Sequence, residues 1–190
     1  MEFLNQNLGR ISVKDGVVRS NGDIWLLLGP MREGYDPIRF ESGAFHVKEP
    51  GLASYPVLRV TPRGADAYAR FFGRRLPTDA EWRRALQNEV GAEEPGSKRG
   101  SDVALTAPGQ SHMDAMLGQV RPRPRGPAPV LDVPANSRGV RGPAGNFQEW
   151  SIRAPAQGAD AVEYVAMPSA VARHPWEAFD DVGFRCALTK

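Results

Sequence analysis

The sequence predicts a single α+β domain, and three observations support that class. Asp15-Gly16 lies between two short apolar runs and is typical of a β-hairpin turn, because both residue types tolerate a positive φ. Two later segments carry helix-start signals, at Thr61-Pro62 and at Thr78. Glycine and proline number 20 and 17 in 190 residues, which predicts abundant loops between these elements.

Composition favours one soluble domain over residues 1–190. The chain is 41% hydrophobic and 24% charged, and its formal net charge of +2 gives no electrostatic footprint for nucleic acid. No run approaches the roughly 20 apolar residues of a membrane span, and residues 1–10 lack the order of a secretory signal. We therefore expect a cytoplasmic protein with no membrane span and no nucleic-acid partner.

The first third of the chain is predicted to be extended. Ile11-Ser12-Val13 and Val17-Val18 flank the Asp-Gly turn, so they are expected to pair as a hairpin. Ile24 to Leu28 is apolar at successive positions, which predicts a strand buried on both faces.

The first helix is predicted to begin at Thr61-Pro62 and to end near Gly73. Threonine is a good N-cap, and proline at the first helical position gives up only an N–H that has no helical partner. An apolar face is expected from residues at helical spacing: Ala65, Tyr68, Ala69 and Phe72.

The second helix is predicted to start with a capping box at Thr78 and Glu81 and to end before Gly91. Its expected buried residues are Trp82, Ala85 and Leu86. We assign both helices to the fold and no chemistry to either.

Residues 91–129 are rich in proline, glycine, serine and charge, and they predict a long loop. The stretch from Arg121 to Pro129 cannot be helical, because its prolines remove donors and restrict their predecessors. We interpret it as a polyproline-like connector. The alternative is a basic, proline-rich docking motif for a partner.

Three motifs follow one another along the chain: Arg75-Leu76-Pro77-Thr78-Asp79-Ala80-Glu81-Trp82, Gly145-Asn146-Phe147-Gln148-Glu149-Trp150 and the closing Gly183-Phe184-Arg185. They resemble, in the same order, motifs of the formylglycine-generating enzyme or sulfatase-modifying factor family. The resemblance covers residues 55–90 and 130–188. It implies an irregular C-type-lectin-like fold with two helices, a twisted antiparallel sheet and long loops, and residues 1–50 would be divergent N-terminal strands.

The resemblance also implies an oxidase that binds copper through a cysteine pair located between the second and third motifs. The corresponding interval here, Ser151 to Val182, contains no cysteine, and Cys186 is the only thiol of the chain. Cu(I) chemistry of this kind needs paired thiolates. We therefore interpret the chain as a pseudoenzyme in which Cys186 is structural. We interpret His46, His112 and His174 as ordinary histidines.

The Gly145 loop has two interpretations. The resemblance implies a calcium site in which the Ala144, Gly145 and Phe147 carbonyls and the Glu149 carboxylate are ligands, since calcium takes six to eight oxygens. The alternative is a structural carboxylate, with Glu149 paired to an arginine such as Arg185 or bonded to backbone amides. No other cofactor is expected.

The C-terminal loops are the predicted binding surface. Large aromatic and charged side chains are concentrated there, as at adaptable interfaces, and they are Tyr164, Arg173, Trp176, Phe179 and Asp180. The alternative is that Trp176 and Phe179 pack inward. We expect a non-catalytic module that binds a protein or a small molecule; an enzyme with an unrecognised site and a structural subunit of a larger complex are the alternatives.

Overall fold

The computed structural model describes residues 1–31, 34–86, 127–141, 147–153 and 162–188, and over these ranges the fold is α+β, as predicted. The helices are α1 (Glu2–Gln6), α2 (Pro62–Phe71) and α3 (Asp79–Leu86), of which α1 was not predicted. The strands are β1 (Ile11–Lys14), β2 (Val17–Ser20), β3 (Asp23–Leu27), β4 (Ile38–Glu41), β5 (Ala44–Val47), β6 (Arg74–Arg75), β7 (Gln148–Arg153), β8 (Glu163–Met167), β9 (Val171–Arg173), β10 (Val182–Phe184) and β11 (Ala187–Leu188).

The predicted N-terminal hairpin is present. β1 pairs antiparallel with β2 through a turn in which Asp15 and Gly16 have φ values of 50° and 74°. These positive φ values are typical of the tight turns that join two strands through a two-residue loop. β3 then pairs antiparallel with β2 and completes a sheet in the order β1-β2-β3.

The prediction that Ile24 to Leu28 is buried on both faces is wrong. Only Leu26 is buried, and the other four residues of the run are half-buried. β3 is an edge strand of its sheet, so its side chains are covered less completely than those of a central strand.

Helix α2 starts as predicted and packs directly on β3. The Thr61 hydroxyl accepts a hydrogen bond from the Gly64 amide at 3.0 Å and donates to the Ile24 carbonyl at 2.5 Å. A Cβ atom at Gly64 would lie 2.2 Å from the carbonyl oxygen of Trp25. The helix and the strand therefore touch backbone to backbone, and only glycine fits at this position.

The apolar face of α2 is confirmed except at its end. Ala65 and Ala69 are fully buried, and Tyr68 is half-buried. Phe72 lies at the C-cap and is 37% exposed, although its ring packs against Tyr68 with 4.9 Å between the centroids. Gly73 follows with φ of 64°, and the chain leaves the helix there, as predicted.

Helix α3 begins with the predicted capping box. The Thr78 hydroxyl accepts from the Glu81 amide at 3.1 Å, and the Glu81 carboxylate accepts from the Thr78 amide at 2.9 Å. Trp82 is buried and Ala85 is half-buried. The side chain of Leu86, the predicted helix end before Gly91 and the Arg121–Arg125 stretch lie outside the described residues.

The largest sheet has the order β10-β7-β8-β9, in which β10 runs parallel to β7 and the other pairs are antiparallel. Trp150 in β7 is fully buried, and its indole N–H donates to the Val60 carbonyl at 2.8 Å. This bond joins the C-terminal sheet to the segment that leads into α2. The β8–β9 register pairs Tyr164 with Arg173.

In the parts of the chain that the structure describes, no helix is long and apolar enough to cross a membrane.

Candidate functional site

The main cavity found among the described residues is a cleft of about 860 Å³ between three parts of the fold. The turn from β2 into β3 forms one wall, α2 forms the second, and β8 with β9 forms the third. The side chains that matter most for its chemistry are Asp23, Trp25, Arg63, Asp66, Tyr164 and Arg173.

Two of the five predicted binding residues, Tyr164 and Arg173, line this cleft. They are cross-strand neighbours, so the sheet register holds them side by side. Burial raises the pKa of the Tyr164 phenol above its ordinary value, and the nearby Asp66 carboxylate adds to that shift. The phenol therefore stays protonated at neutral pH and is available as a hydrogen-bond donor.

Arg173 is the arginine of the cleft that has no carboxylate partner among the described residues. Its Nε is buried and makes no hydrogen bond, and Arg173 forms no ion pair with a described carboxylate. Its guanidinium carbon lies 4.7 Å from the centroid of the Phe179 ring. Stacking on an aromatic ring holds the guanidinium in place without neutralising its charge.

The remaining charges that line the cleft occur in pairs. Arg63 on α2 contacts Asp23 at 3.1 Å, and Arg70 contacts Asp66 one helical turn earlier at 2.9 Å. Glu163 is paired at 2.7 Å with Arg153, which is not a lining residue. These ion pairs leave Arg173 as the uncompensated charge among the described lining residues.

The other three predicted binding residues do not line the cleft. Phe179 packs against Trp150, with ring centroids 6.1 Å apart, so it follows the inward alternative. Asp180 forms an ion pair with Arg59 at 3.3 Å. Trp176 is 56% exposed, and its ring stacks on the His174 ring with 4.7 Å between the centroids. Trp176 therefore does not pack inward.

Glu149 has partners on both carboxylate oxygens. Oε2 accepts from the Trp82 indole at 2.8 Å and from Arg185 Nε at 2.5 Å, and Oε1 accepts from Arg185 Nη2 at 2.6 Å. The Glu149 side chain is 14% exposed. This arrangement favours the structural alternative, because a bidentate arginine already uses the oxygens that calcium would need.

The predicted calcium loop is described only in part. Gly145 and Ala144 lie outside the described residues, and Phe147 is half-buried. Within the ranges given above, no three His, Cys, Asp or Glu side chains are grouped to hold a metal ion. The calcium site stays a prediction.

Cys186 does not supply a copper site. It is half-buried between β10 and β11, and desolvation raises the pKa of its thiol above the ordinary value, although Arg74 opposes that shift. A raised pKa keeps the sulfur protonated and unreactive. Because the 190-residue sequence has no second cysteine, the chain does not fit a copper ion that needs two thiolates.

Sequence reasoning missed the N-terminal half of the cleft. Trp25, Arg63 and Asp66 line it, although α2 had been assigned to the fold alone. One signal was present: Arg63, Asp66 and Arg70 are spaced by three and four residues, which places three charges on one helix face. Nothing local indicated that this face lies opposite β9.

Comparison with known proteins adds three findings. The sequence matches the family model described as the sulfatase-modifying factor enzyme 1-like domain over residues 13–190. It is 39% identical over 108 residues to the formylglycine-generating enzyme of Mycobacterium tuberculosis, which covers 52% of this chain and 33% of that enzyme. It is 36% identical over 104 residues to the serine/threonine-protein kinase pkn1 of Chlamydia caviae, covering 55% of this chain and 15% of the kinase.

The mouse formylglycine-generating enzyme aligns over more of the chain, with 28% identity over 173 residues, 71% of this chain and 44% of the enzyme. The chain thus spans less than half the length of each of these three relatives.

Proposed function

The chain belongs to the sulfatase-modifying factor enzyme 1-like domain family, and we propose that it is a non-catalytic member whose cleft binds a small molecule. The observation that carries this proposal is the cleft itself. It combines a cation that forms no ion pair among the described residues, Arg173, with a protonated phenol, Tyr164, on a scaffold that has a single thiol.

The size and lining of the cleft support a small-molecule ligand over a protein partner. Ligand pockets commonly enclose about 300 to 1,000 Å³ and place a few polar groups among apolar and aromatic ones. The cleft of about 860 Å³ falls in that range, and the Trp25 and Tyr164 rings supply aromatic lining. Trp176 follows Pro175, which lines the cleft, so a ligand that extends outward would meet the exposed indole.

The named relatives indicate that this scaffold is not restricted to one activity. The same domain matches proteins named as formylglycine-generating enzymes and proteins named as serine/threonine-protein kinases. A fold that occurs in differently named proteins does not by itself determine a reaction. The function of this chain must therefore be inferred from its site residues, which supply binding groups and no thiol pair.

A thermal-shift screen of a diverse small-molecule library tests the proposal. Ala67 lies on the α2 face that lines the cleft, whereas the exposed Ala80 on α3 does not line it, so Ala67→Trp should fill the cleft and Ala80→Trp is a control with the same change in size. Ligands that bind the native state raise Tm by mass action. We expect compounds that stabilise the wild type and Ala80→Trp but not Ala67→Trp, and weaker stabilisation of Arg173→Ala and Trp176→Ala. A screen with no such compounds would contradict the proposal.

A copper-dependent oxidation assay tests the enzymatic alternative. The chain and the Mycobacterium tuberculosis relative would each be incubated with Cu(I), oxygen and a cysteine-containing peptide. We expect aldehyde product from the relative only, because Cys186 has no second thiolate with which to bind the metal. Product formed by this chain would show that it is an enzyme and would overturn the non-catalytic assignment.

A further inference from the structure

We propose that the cleft selects small molecules that carry one carboxylate, and that Arg173 is the residue that binds this group. The inference rests on the proposed function, since it names the ligand class of the same cleft. It follows from the charge balance of the lining and from the position of one guanidinium.

The charge balance of the cleft favours a single negative charge on the ligand. Arg63 and Arg70, the two other arginines among the described lining residues, already contact Asp23 and Asp66 at 3.1 and 2.9 Å. A dianion such as a phosphate ester would need a second unpaired cation, and these ion pairs would have to break to supply one. A monoanion needs only Arg173.

The geometry of Arg173 favours a planar anion. Phe179 lies against the guanidinium, with 4.7 Å between the guanidinium carbon and the ring centroid, so the fork is held by stacking rather than by a protein acceptor. Its Nε makes no hydrogen bond, and Arg173 forms no ion pair with a described carboxylate. Because Nε is buried, the two Nη groups are the donors available to a ligand, and their planar arrangement matches the two oxygens of a carboxylate.

Tyr164 supports the same ligand. It is the cross-strand partner of Arg173 and lines the cleft beside it. A protonated phenol donates a hydrogen bond to an anion and adds no negative charge that would repel it. Arg173 and Tyr164 together therefore present donors to one side of a bound carboxylate.

Three probes of one shape test this proposal: benzoate, benzamide and benzamidinium, which are anionic, neutral and cationic versions of one substituted ring. The readout is the indole N–H signal of Trp25 in a ¹H–¹⁵N spectrum, because Trp25 lines the cleft. The probes would be titrated to about 20 mM, a range suited to the weak binding of fragments of this size. We expect benzoate to bind about tenfold more tightly than benzamide, as a charge-assisted hydrogen bond would give, and benzamidinium to bind most weakly.

Variants of Arg173 assign the preference to this residue. Arg173→Met keeps an unbranched apolar stem and should reduce the benzoate-to-benzamide ratio to about one, whereas Arg173→Lys should retain part of it. Arg138→Met, at an exposed arginine that does not line the cleft, is the matched control and should leave the ratio unchanged. Native circular dichroism would be required of every variant, and Arg173→Lys keeps the test valid if Arg173→Met does not fold.

Equal binding of benzoate and benzamide to the wild type would overturn the carboxylate inference while leaving the cleft as a binding site. A benzoate preference that survives in Arg173→Met would overturn the role of Arg173. If none of the three probes moves the Trp25 signal, the carboxylate inference fails, and the library screen above then decides separately whether the cleft binds other molecules.

Discussion

At the scale of single residues, Glu81 is the carboxylate whose ionisation most clearly stabilises a local structure. Hydrogen bonds from Arg75, and then from the Thr78 amide, lower its pKa from 4.5 to about 2. A lowered folded-state pKa contributes stability that is present above the unfolded value and is lost as pH falls through the folded value. The contribution should therefore disappear between about pH 4.5 and pH 2.

The measurement is the free energy of unfolding as a function of pH for the wild type and for Glu81→Gln. We expect the two curves to converge as pH falls towards 2, because a protonated Glu81 resembles glutamine. Glu49→Gln, at an exposed carboxylate that forms no ion pair with a described residue, serves as the control and should give a curve parallel to that of the wild type. Parallel curves for Glu81→Gln would contradict the assignment.

Glu149 gives a second prediction at this scale. Glu149→Gln removes the charge that Arg185 and the Trp82 indole contact, so it should lower the free energy of unfolding by about 1.5 to 3 kcal/mol. Because both oxygens already have protein partners, we expect added calcium to leave Tm unchanged. Denaturant unfolding and a calcium titration followed by calorimetry measure these effects. A rise in Tm with calcium that is absent in Glu149→Gln would support the calcium site instead.

At the scale of elements, local signals predicted the starts of α2 and α3 and the first hairpin, because each depends on a few adjacent residues. The Thr78–Glu81 capping box and the Asp15-Gly16 turn are examples. The contact between α2 and β3 could not be predicted, since it joins Gly64 to Trp25 across the sequence. The same limit explains the missed half of the cleft: its walls come from segments far apart in the chain, and their meeting depends on strand pairing.

The α2–β3 contact gives a prediction that separates tight packing from helix propensity. Gly64→Ala should raise helix propensity, yet its Cβ would lie 2.2 Å from the Trp25 carbonyl oxygen. Relief of that overlap requires the backbones to separate, so we expect a loss of at least about 3 kcal/mol. Gly51→Ala, where a new Cβ meets nothing within 4 Å, is the control and should have little effect. Chemical denaturation of both variants measures this, and a stable Gly64→Ala would contradict the described contact.

At the scale of the whole molecule, the family scaffold has a cleft whose lining residues come from both halves of the chain. Arg63 and Asp66 precede residues 87–126, which lie outside the described ranges, and Tyr164 and Arg173 follow them. The family match and the single cysteine could be read in the sequence. The binding geometry could not be read in the sequence. The sequence pattern predicted one surface formed by Tyr164, Arg173, Trp176, Phe179 and Asp180, but only Tyr164 and Arg173 line the cleft.

The central claim is that this cleft is where the molecule binds its ligand, and the four tryptophans allow a direct test. Trp25 lines the cleft, Trp176 is exposed outside it, and Trp82 and Trp150 are buried with their indole N–H groups hydrogen-bonded. The measurement is a ¹H–¹⁵N spectrum of the four indoles during titration with the compounds that stabilise the wild type. We predict that the Trp25 signal moves while those of Trp82 and Trp150 do not; shifts confined to Trp176, with Trp25 unchanged, would contradict binding in the cleft.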